Sequence, residues 1–255
     1  MTVATHLARL LESLDRPSRP VAVIGHRGAP RTAPENTLLS FRNAIDAGAD
    51  GIEFDIRLAA GNRLVVMHDA NVDRCTDGTG PVAEHSLDDL QRLDAGGWFG
   101  PAFRGERVPA FTEALEVMHE RVLPLVEVKE QADCDAAHLA SVILAELDSV
   151  GMRRDVVLHS FDPAIVAALY EADSGLALAI TFEAEIAPPA WIGGVHPETP
   201  LVTAALVEAA HGAGRWVCTW TVNTESAVQQ LAGLDVDGIM TDDPAMAITA
   251  ISNAE

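Results

Sequence analysis

A single TIM (β/α)8 barrel is the α/β fold class this sequence predicts, and three observations predict it. Strand-length apolar runs alternate with helix-length patterns along the chain, which argues for a parallel sheet with crossover helices. Eight of those runs leave room for a crossover, and eight parallel strands close a barrel. The 255 residues match the roughly 250 typical of one such barrel. No Pro/Gly/Ser linker, charge block or short-period repeat divides them, so residues 1–255 are expected to form one domain.

Taken in order, residues 21–25 are the first apolar run. A helical pattern over 37–47 follows, with Asn36 or Thr37 placed to cap it and Gly48 to end it. The second strand is read at 51–58. Later strands fall at 123–129, 156–161, 176–182, 191–196, 215–222 and 237–241, and helices at 111–121, 135–150, 164–172, 203–213 and 225–232. Residues 64–68 also have strand character, but only about five residues separate them from the second strand, too few for a crossover. The pair is therefore predicted to be a hairpin standing above the sheet. A two-residue turn at Gly61-Asn62 would set Ala60 opposite Arg63 and Asp55 opposite His68.

The stretch 69–109 is long for a connection. It holds a short helical pattern at 87–93 and the aromatic pair Trp98-Phe99 between glycines. It reads as a small cap inserted after the second strand, beside the barrel mouth, where Trp98 and Phe99 either meet a ligand or anchor the cap.

Composition narrows the function classes. With 38 acidic against 17 basic residues the net charge is −21, which disfavours nucleic acid and stable association with anionic membranes, because both are bound mainly by Lys and Arg. All apolar runs are well short of the roughly 18 residues of a membrane span. Residues 1–20 lack the pattern of a secretory signal. Three widely spaced cysteines, Cys75, Cys134 and Cys218, fit neither a disulfide framework nor a thiolate zinc site. A cytoplasmic location is expected. Oligomeric state is not legible.

The chemistry-bearing residues cluster at predicted strand ends. His26 and Arg27 directly follow the first strand. Alternation along 51–58 sets Glu53, Asp55 and Arg57 on one face and Ile52, Phe54, Ile56 and Leu58 on the other. Glu127 and Lys129 share a face in the same way, and His68 ends the second strand of the hairpin. The C-terminal ends of barrel strands are where such enzymes build their sites. Alone, Glu-x-Asp reads as a solvated face, His beside Asp as a structural pair, and Glu127 with Lys129 as an ion pair. Together, three carboxylates suit a hard metal ion, two histidines suit proton transfer, and two cations suit an anionic substrate. This inventory fits cleavage of a phosphodiester. Glu35, Asn36 and Thr37 read as loop-fixing residues, and His159 and His196 as hydrogen-bonded structural histidines. Trp220, at a strand end, is placed either to pack against an alcohol or to fill the rim.

Several segments carry a resemblance in chain order: Gly25-His26-Arg27-Gly28, Pro34-Glu35-Asn36-Thr37, Gly51-Ile52-Glu53-Phe54-Asp55, Val66-Met67-His68-Asp69, and Arg74 to Gly80. They continue with Glu127-Val128-Lys129, Ser160-Phe161, Trp220-Thr221-Val222-Asn223 and Gly238-Ile239-Met240-Thr241-Asp242. The set resembles the glycerophosphodiester phosphodiesterase family over nearly the whole chain. Cys75 stands where that pattern has Thr or Ser, and Ala59-Ala60-Gly61-Asn62 replaces its usual Thr-x-Asp-Gly turn. The resemblance implies a TIM barrel and one divalent cation on Glu53, Asp55 and Glu127, with His26 and His68 as general acid and base. An all-oxygen donor set favours Mg²⁺ or Ca²⁺. Arg27, Lys129 and Trp220 are the expected substrate contacts, and the expected partner is a small glycerophosphodiester. A lysophospholipase D-like enzyme on the lipid version of that linkage, or a non-catalytic barrel binding phosphorylated ligands, are the other readings.

Overall fold

In the computed structural model, which describes residues 7, 11, 19–131 and 134–253, nine strands form one hydrogen-bonded sheet. They are β1 Ala22–His26, β2 Gly51–Ala59, β3 Arg63–Val66, β4 Leu123–Val128, β5 Val157–Ser160, β6 Ala177–Phe182, β7 Gly194–Pro197, β8 Trp216–Thr219 and β9 Gly238–Thr241. Neighbours run β1-β9-β8-β7-β6-β5-β4-β2, and a β1–β2 pairing closes the ring. All eight of these strands pair in parallel, and β3 adds to β2 antiparallel, outside the ring. The predicted barrel of eight parallel strands with a hairpin appended is what forms. Apart from Leu7 and Leu11, residues 1–18 of the stretch read for a secretory signal lie outside the described residues.

The helices are α1 Leu38–Asp46, α2 Leu87–Leu90, α3 Phe111–Met118, α4 Ala136–Ser149, α5 Pro163–Ala172, α6 Ala204–Gly212, α7 Glu225–Ala232 and α8 Pro244–Ser252; they connect successive parallel strands except β6 to β7, which residues 183–193 join without one, and α8 follows β9. Thr37 caps α1, accepting from the Ser40 N–H, and the chain leaves the helix through Gly48 at φ +87°. The sequence reading did not include α8. Its start signal is the pair Asp243-Pro244, in which the carboxylate accepts from the Met246 N–H and proline occupies the first turn.

Period-two alternation sorts the strand residues. Ile52, Phe54, Ile56, Val126, Val128 and Leu158 point outward into the layer between sheet and helices. Residues of the other parity, including Ile24, Leu125, Val157, Ala179, Trp216, Cys218 and Met240, fill the barrel interior together with Leu7 and Leu11. Trp216 lies flush against its neighbour strand because residue 194 is glycine. A Cβ there would sit 2.0 Å from the indole. One or two steps further along each strand, the same inward parity supplies His26, Glu53, Asp55, Glu127, His159, Thr181, His196, Trp220 and Asp242. The interior is thus apolar below and polar at the C-terminal ends of the strands.

The hairpin register differs from the expectation by one residue. Ala59 pairs with Arg63, Leu58 with Leu64 and Ile56 with Val66, so Met67, not His68, opposes Asp55, its N–H donating to the Asp55 carbonyl at 3.0 Å. Gly61 and Asn62 do take the left-handed turn conformation. Ala60, however, is drawn out of the ladder because its N–H donates to the His85 carbonyl at 2.9 Å.

Residues 69–109 contain α2 and two short 3-10 turns. Val72, Val82, Leu87, Leu90, Ala95 and Val108 cluster against Val65 and Met67, on the face of the hairpin turned away from the barrel layer. Trp98, Phe99 and Phe103 stack edge to face at 5.7 and 4.9 Å, and the Trp98 indole donates to Ala95. These rings hold the insertion to itself.

Candidate active site

The turn after β1 begins the site. Gly25 and Gly28 make it possible: a Cβ on Gly25 would lie 2.2 Å from the Gly28 carbonyl oxygen, and Gly28 takes φ +92°. The Ser40 hydroxyl of α1 donates to the Arg27 carbonyl and accepts from the Ala29 N–H. The turn is thereby pinned, with Arg27 in the left-handed region at φ +54° and its N–H donating to the Glu53 carbonyl at 2.7 Å.

Glu53, Asp55 and Glu127 are all buried, and each offers a carboxylate oxygen within 4.8 Å of the others. Their charges are unequally compensated. For Asp55, burial alone would raise the carboxyl, but Lys129, Arg27 and His68 outweigh it and hold it well below the usual carboxylate range. Lys129 Nζ lies 2.8 Å from Asp55 Oδ1 and also binds Glu127 Oε1, Arg27 Nε lies 3.3 Å from Asp55 Oδ2, and Asn36 donates to that oxygen at 2.7 Å. Among the described residues, no Lys or Arg side chain pairs with Glu53. Burial first, then the neighbouring Asp55 charge, push it up to about 8. Glu127 is raised by burial and by Asp55 despite its Lys129 contact.

Each flanking imidazole is oriented by a carboxylate. His26 Nδ1 donates to Asp242 Oδ1 at 2.7 Å, and Asp242 is itself held by Asn223, which donates to Oδ2 and accepts from the Asp242 N–H. His68 Nδ1 donates to Asp69 Oδ1 at 2.6 Å, and Arg74 donates to both Asp69 oxygens. An ionised carboxylate on Nδ1 leaves Nε2 as the working nitrogen of each neutral ring. His26 Nε2 lies 4.0 Å from Glu53 Oε2.

Beside the carboxylates, His159 and His196 meet edge to face at 4.7 Å. Both are fully enclosed and held neutral, since burial lowers them, His196 to about 3. At the rim, Trp220 stands 5.3 Å from Phe161 and donates its indole N–H to the His196 carbonyl. A groove of about 490 Å³ opens beside Glu127 and Lys129, walled by Arg57, Glu130, Phe161 and Asp162.

A model of the glycerophosphoryl diester phosphodiesterase family matches residues 26–246 of this chain. The chain belongs to that family. The glycerophosphodiester phosphodiesterase of Caldanaerobacter subterraneus subsp. tengcongensis is 30% identical over 236 residues, 90% of this chain and 97% of its own. The glycerophosphodiester phosphodiesterase of Agrobacterium tumefaciens str. C58 matches in structure with a TM-score of 0.79 at 31% identity, over 90% of this chain and 99% of that one. An Oleispira antarctica phosphodiesterase, whose structure holds the product sn-glycerol-3-phosphate, matches with a TM-score of 0.83 at 27% identity, over 91% and 96% of the two chains.

In this member of the family the donor set fits a hard divalent cation. Three buried carboxylates face two basic side chains, Lys129 and Arg27, and like charges converging in a buried site are costly without a further cation. The eight residues singled out from the sequence fall in one region. His26, Arg27, Glu53, Asp55, Glu127 and Lys129 are joined by direct contacts, His68 is linked to Arg27 through Asp69, Arg74 and Glu35, and Trp220 stands at the rim. Four partners were given no catalytic part: Asp242, Asn223, Asp69 and Arg74. All lie in the family-like segments. Asn36 and Glu35 do fix the first loop, as expected, but they do so by holding Asp55 and Arg27.

Proposed function

We propose that this phosphodiesterase hydrolyses glycerophosphodiesters to glycerol 3-phosphate and an alcohol, using one divalent cation, Mg²⁺ or Ca²⁺, held by Glu53, Asp55 and Glu127. The observation that carries this reading is the convergence of the three carboxylates within 4.8 Å, flanked by two imidazoles that each present a free Nε2. A bound cation of this kind polarises a phosphoryl oxygen and lowers the pKa of a nearby hydroxyl or water. The chain supplies the rest.

One imidazole takes the proton of the attacking oxygen, which belongs to water or to the adjacent glycerol hydroxyl. The other, in its protonated form, gives its Nε2 proton to the departing alkoxide as the bond to phosphorus breaks; where the glycerol hydroxyl attacks, water then opens the cyclic phosphate to glycerol 3-phosphate. Such transfers are each worth about 10²–10⁴ in rate. Arg27 offers its guanidinium and Lys129 its ammonium to the remaining phosphoryl oxygens, against the acidic background of a chain carrying a net −21. Trp220 with Phe161 forms an apolar wall for the carbon portion of the substrate. Residues 69–109 act as a cap, within a single-domain chain, that carries Asp69 and Arg74 to His68.

No helix among the described residues is long and apolar enough to cross a membrane. The cysteines Cys75, Cys134 and Cys218 are unpaired, in keeping with a reducing, cytoplasmic setting.

Assay of purified protein with glycerophosphocholine, glycerophosphoethanolamine and a lysophospholipid, each with Mg²⁺, Ca²⁺ or chelator, tests the reading. Release of glycerol 3-phosphate from the two soluble diesters, lost with chelator, is the expected result. Turnover confined to the lysophospholipid, or unaffected by chelator, overturns it.

A further inference from the structure

We propose that His159 is a positioning residue for the cation site, its Nε2–H orienting Glu53 through Oε1. The inference rests on the reading above in one respect, that Glu53 is a cation ligand.

His159 is 2% exposed, and among the described residues its Nε2 has no hydrogen-bond partner. A buried polar nitrogen left alone is costly, so its direction is informative. It lies 4.0 Å from Glu53 Oε1. That gap is about 1 Å longer than a hydrogen bond and is closed by rotation of the carboxylate. Glu53 Oε2 already has neighbours on its own side, the Arg27 N–H at 3.3 Å and His26 Nε2 at 4.0 Å. Oε1 has His159.

The ring cannot turn away. Its Nδ1 is bound to the Thr181 hydroxyl at 2.9 Å, and one side is packed by His196. His196 is locked in turn, because the Trp216 indole N–H, a donor only, binds its Nε2 at 3.3 Å. In this assignment the Thr181 hydroxyl is the donor to Nδ1, which puts the proton of a neutral His159 on Nε2, facing Glu53. Strand register gives the height: His159 pairs with Glu127 across β4 and β5, and Glu127 with Asp55 across β2 and β4. The imidazole is therefore level with the carboxylates. Partners of this kind typically contribute 10–100-fold to metal affinity.

The test is calorimetric titration of the metal-free, full-length protein with Mg²⁺ and with Ca²⁺, with circular dichroism as the fold control. His159→Leu, which has no donor, is expected to weaken binding about 10–100-fold, and His159→Gln, whose amide N–H reaches the same place, to stay within about 3-fold of wild type. Thr181→Val, which leaves the ring in place but removes the group that fixes its tautomer, is expected to weaken binding several-fold and keeps the test alive if the leucine variant does not fold. Wild-type affinity in both His159→Leu and Thr181→Val, or equal loss in the leucine and glutamine variants, overturns the assignment of His159 alone. Failure of wild type to bind either ion overturns the cation reading itself.

Discussion

His26 and Asp242, 216 residues apart in the chain, share a 2.7 Å hydrogen bond across the β1–β9 seam of the barrel. The carboxylate fixes which imidazole nitrogen carries the proton and keeps the ring aimed at Glu53; burial works against the charged ring, but the Asp242 hydrogen bond and the Glu53 charge outweigh it and raise its pKa. Asp242→Asn preserves the shape but offers an amide that can flip, so the tautomer is no longer set. We expect kcat to fall about 10²-fold or more, with cation affinity little changed. Steady-state kinetics with glycerophosphocholine, alongside cation titration, checks this. A variant with near-normal kcat removes His26 from proton transfer.

Glu53 is the carboxylate least compensated by basic side chains. Replacing it with Gln removes the cost of burying this carboxyl, and of its repulsion from Asp55, in the metal-free protein. The expected gain is about 1–2 kcal/mol, roughly 2–8 °C in Tm for a chain of this size. Differential scanning calorimetry should show a second effect. Mg²⁺ or Ca²⁺ stabilises wild type by binding the folded form and leaves Glu53→Gln unmoved.

Arg74 joins two parts of the site that the chain separates. It donates to both oxygens of Asp69, which holds His68, and to both oxygens of Glu35, which holds Arg27. Arg74→Gln is expected to lower kcat about tenfold. A double-mutant cycle with Asp69→Asn should show a coupling on the order of 1 kcal/mol. Strict additivity of the two effects would mean that Arg74 does not act through Asp69.

His196 gives the stability a dependence on acid. Its folded-state pKa, about 3, lies below the 6.5 of the free side chain, so the unfolded chain binds the extra proton. The stability it contributes is complete above pH 6.5 and is lost as pH falls from there toward 3, by at most about 1.4 kcal/mol per pH unit. Urea unfolding between pH 7 and 4 should be steeper in wild type than in His196→Gln. Equal slopes would show that His196 is not buried neutral.

Much of the site was legible because its residues obey local rules. Glu53 and Asp55, and likewise Glu127 and Lys129, are two apart on strands, so period-two alternation puts each pair on one face. Their apolar neighbours Phe54 and Val128 go to the helix side. The eight parallel strands followed from the spacing that crossovers need. The hairpin register was not available in this way. It depends on the N–H of Ala60 meeting the carbonyl of His85, a residue of the inserted segment. Nor was the part played by His159, which reads as a structural histidine until Glu53 is seen 4.0 Å away.

By itself, the sequence determined which residues face the barrel interior and at which strand ends the charged ones fall, because side-chain direction is a property of a few consecutive residues. Only the tertiary structure decided who partners whom: Asp242 with His26, Arg74 with Asp69 and Glu35, His159 beside Glu53. Those contacts depend on how the ring closes and how far neighbouring strands are staggered. Both follow from packing summed over the whole barrel, which no short stretch of chain encodes.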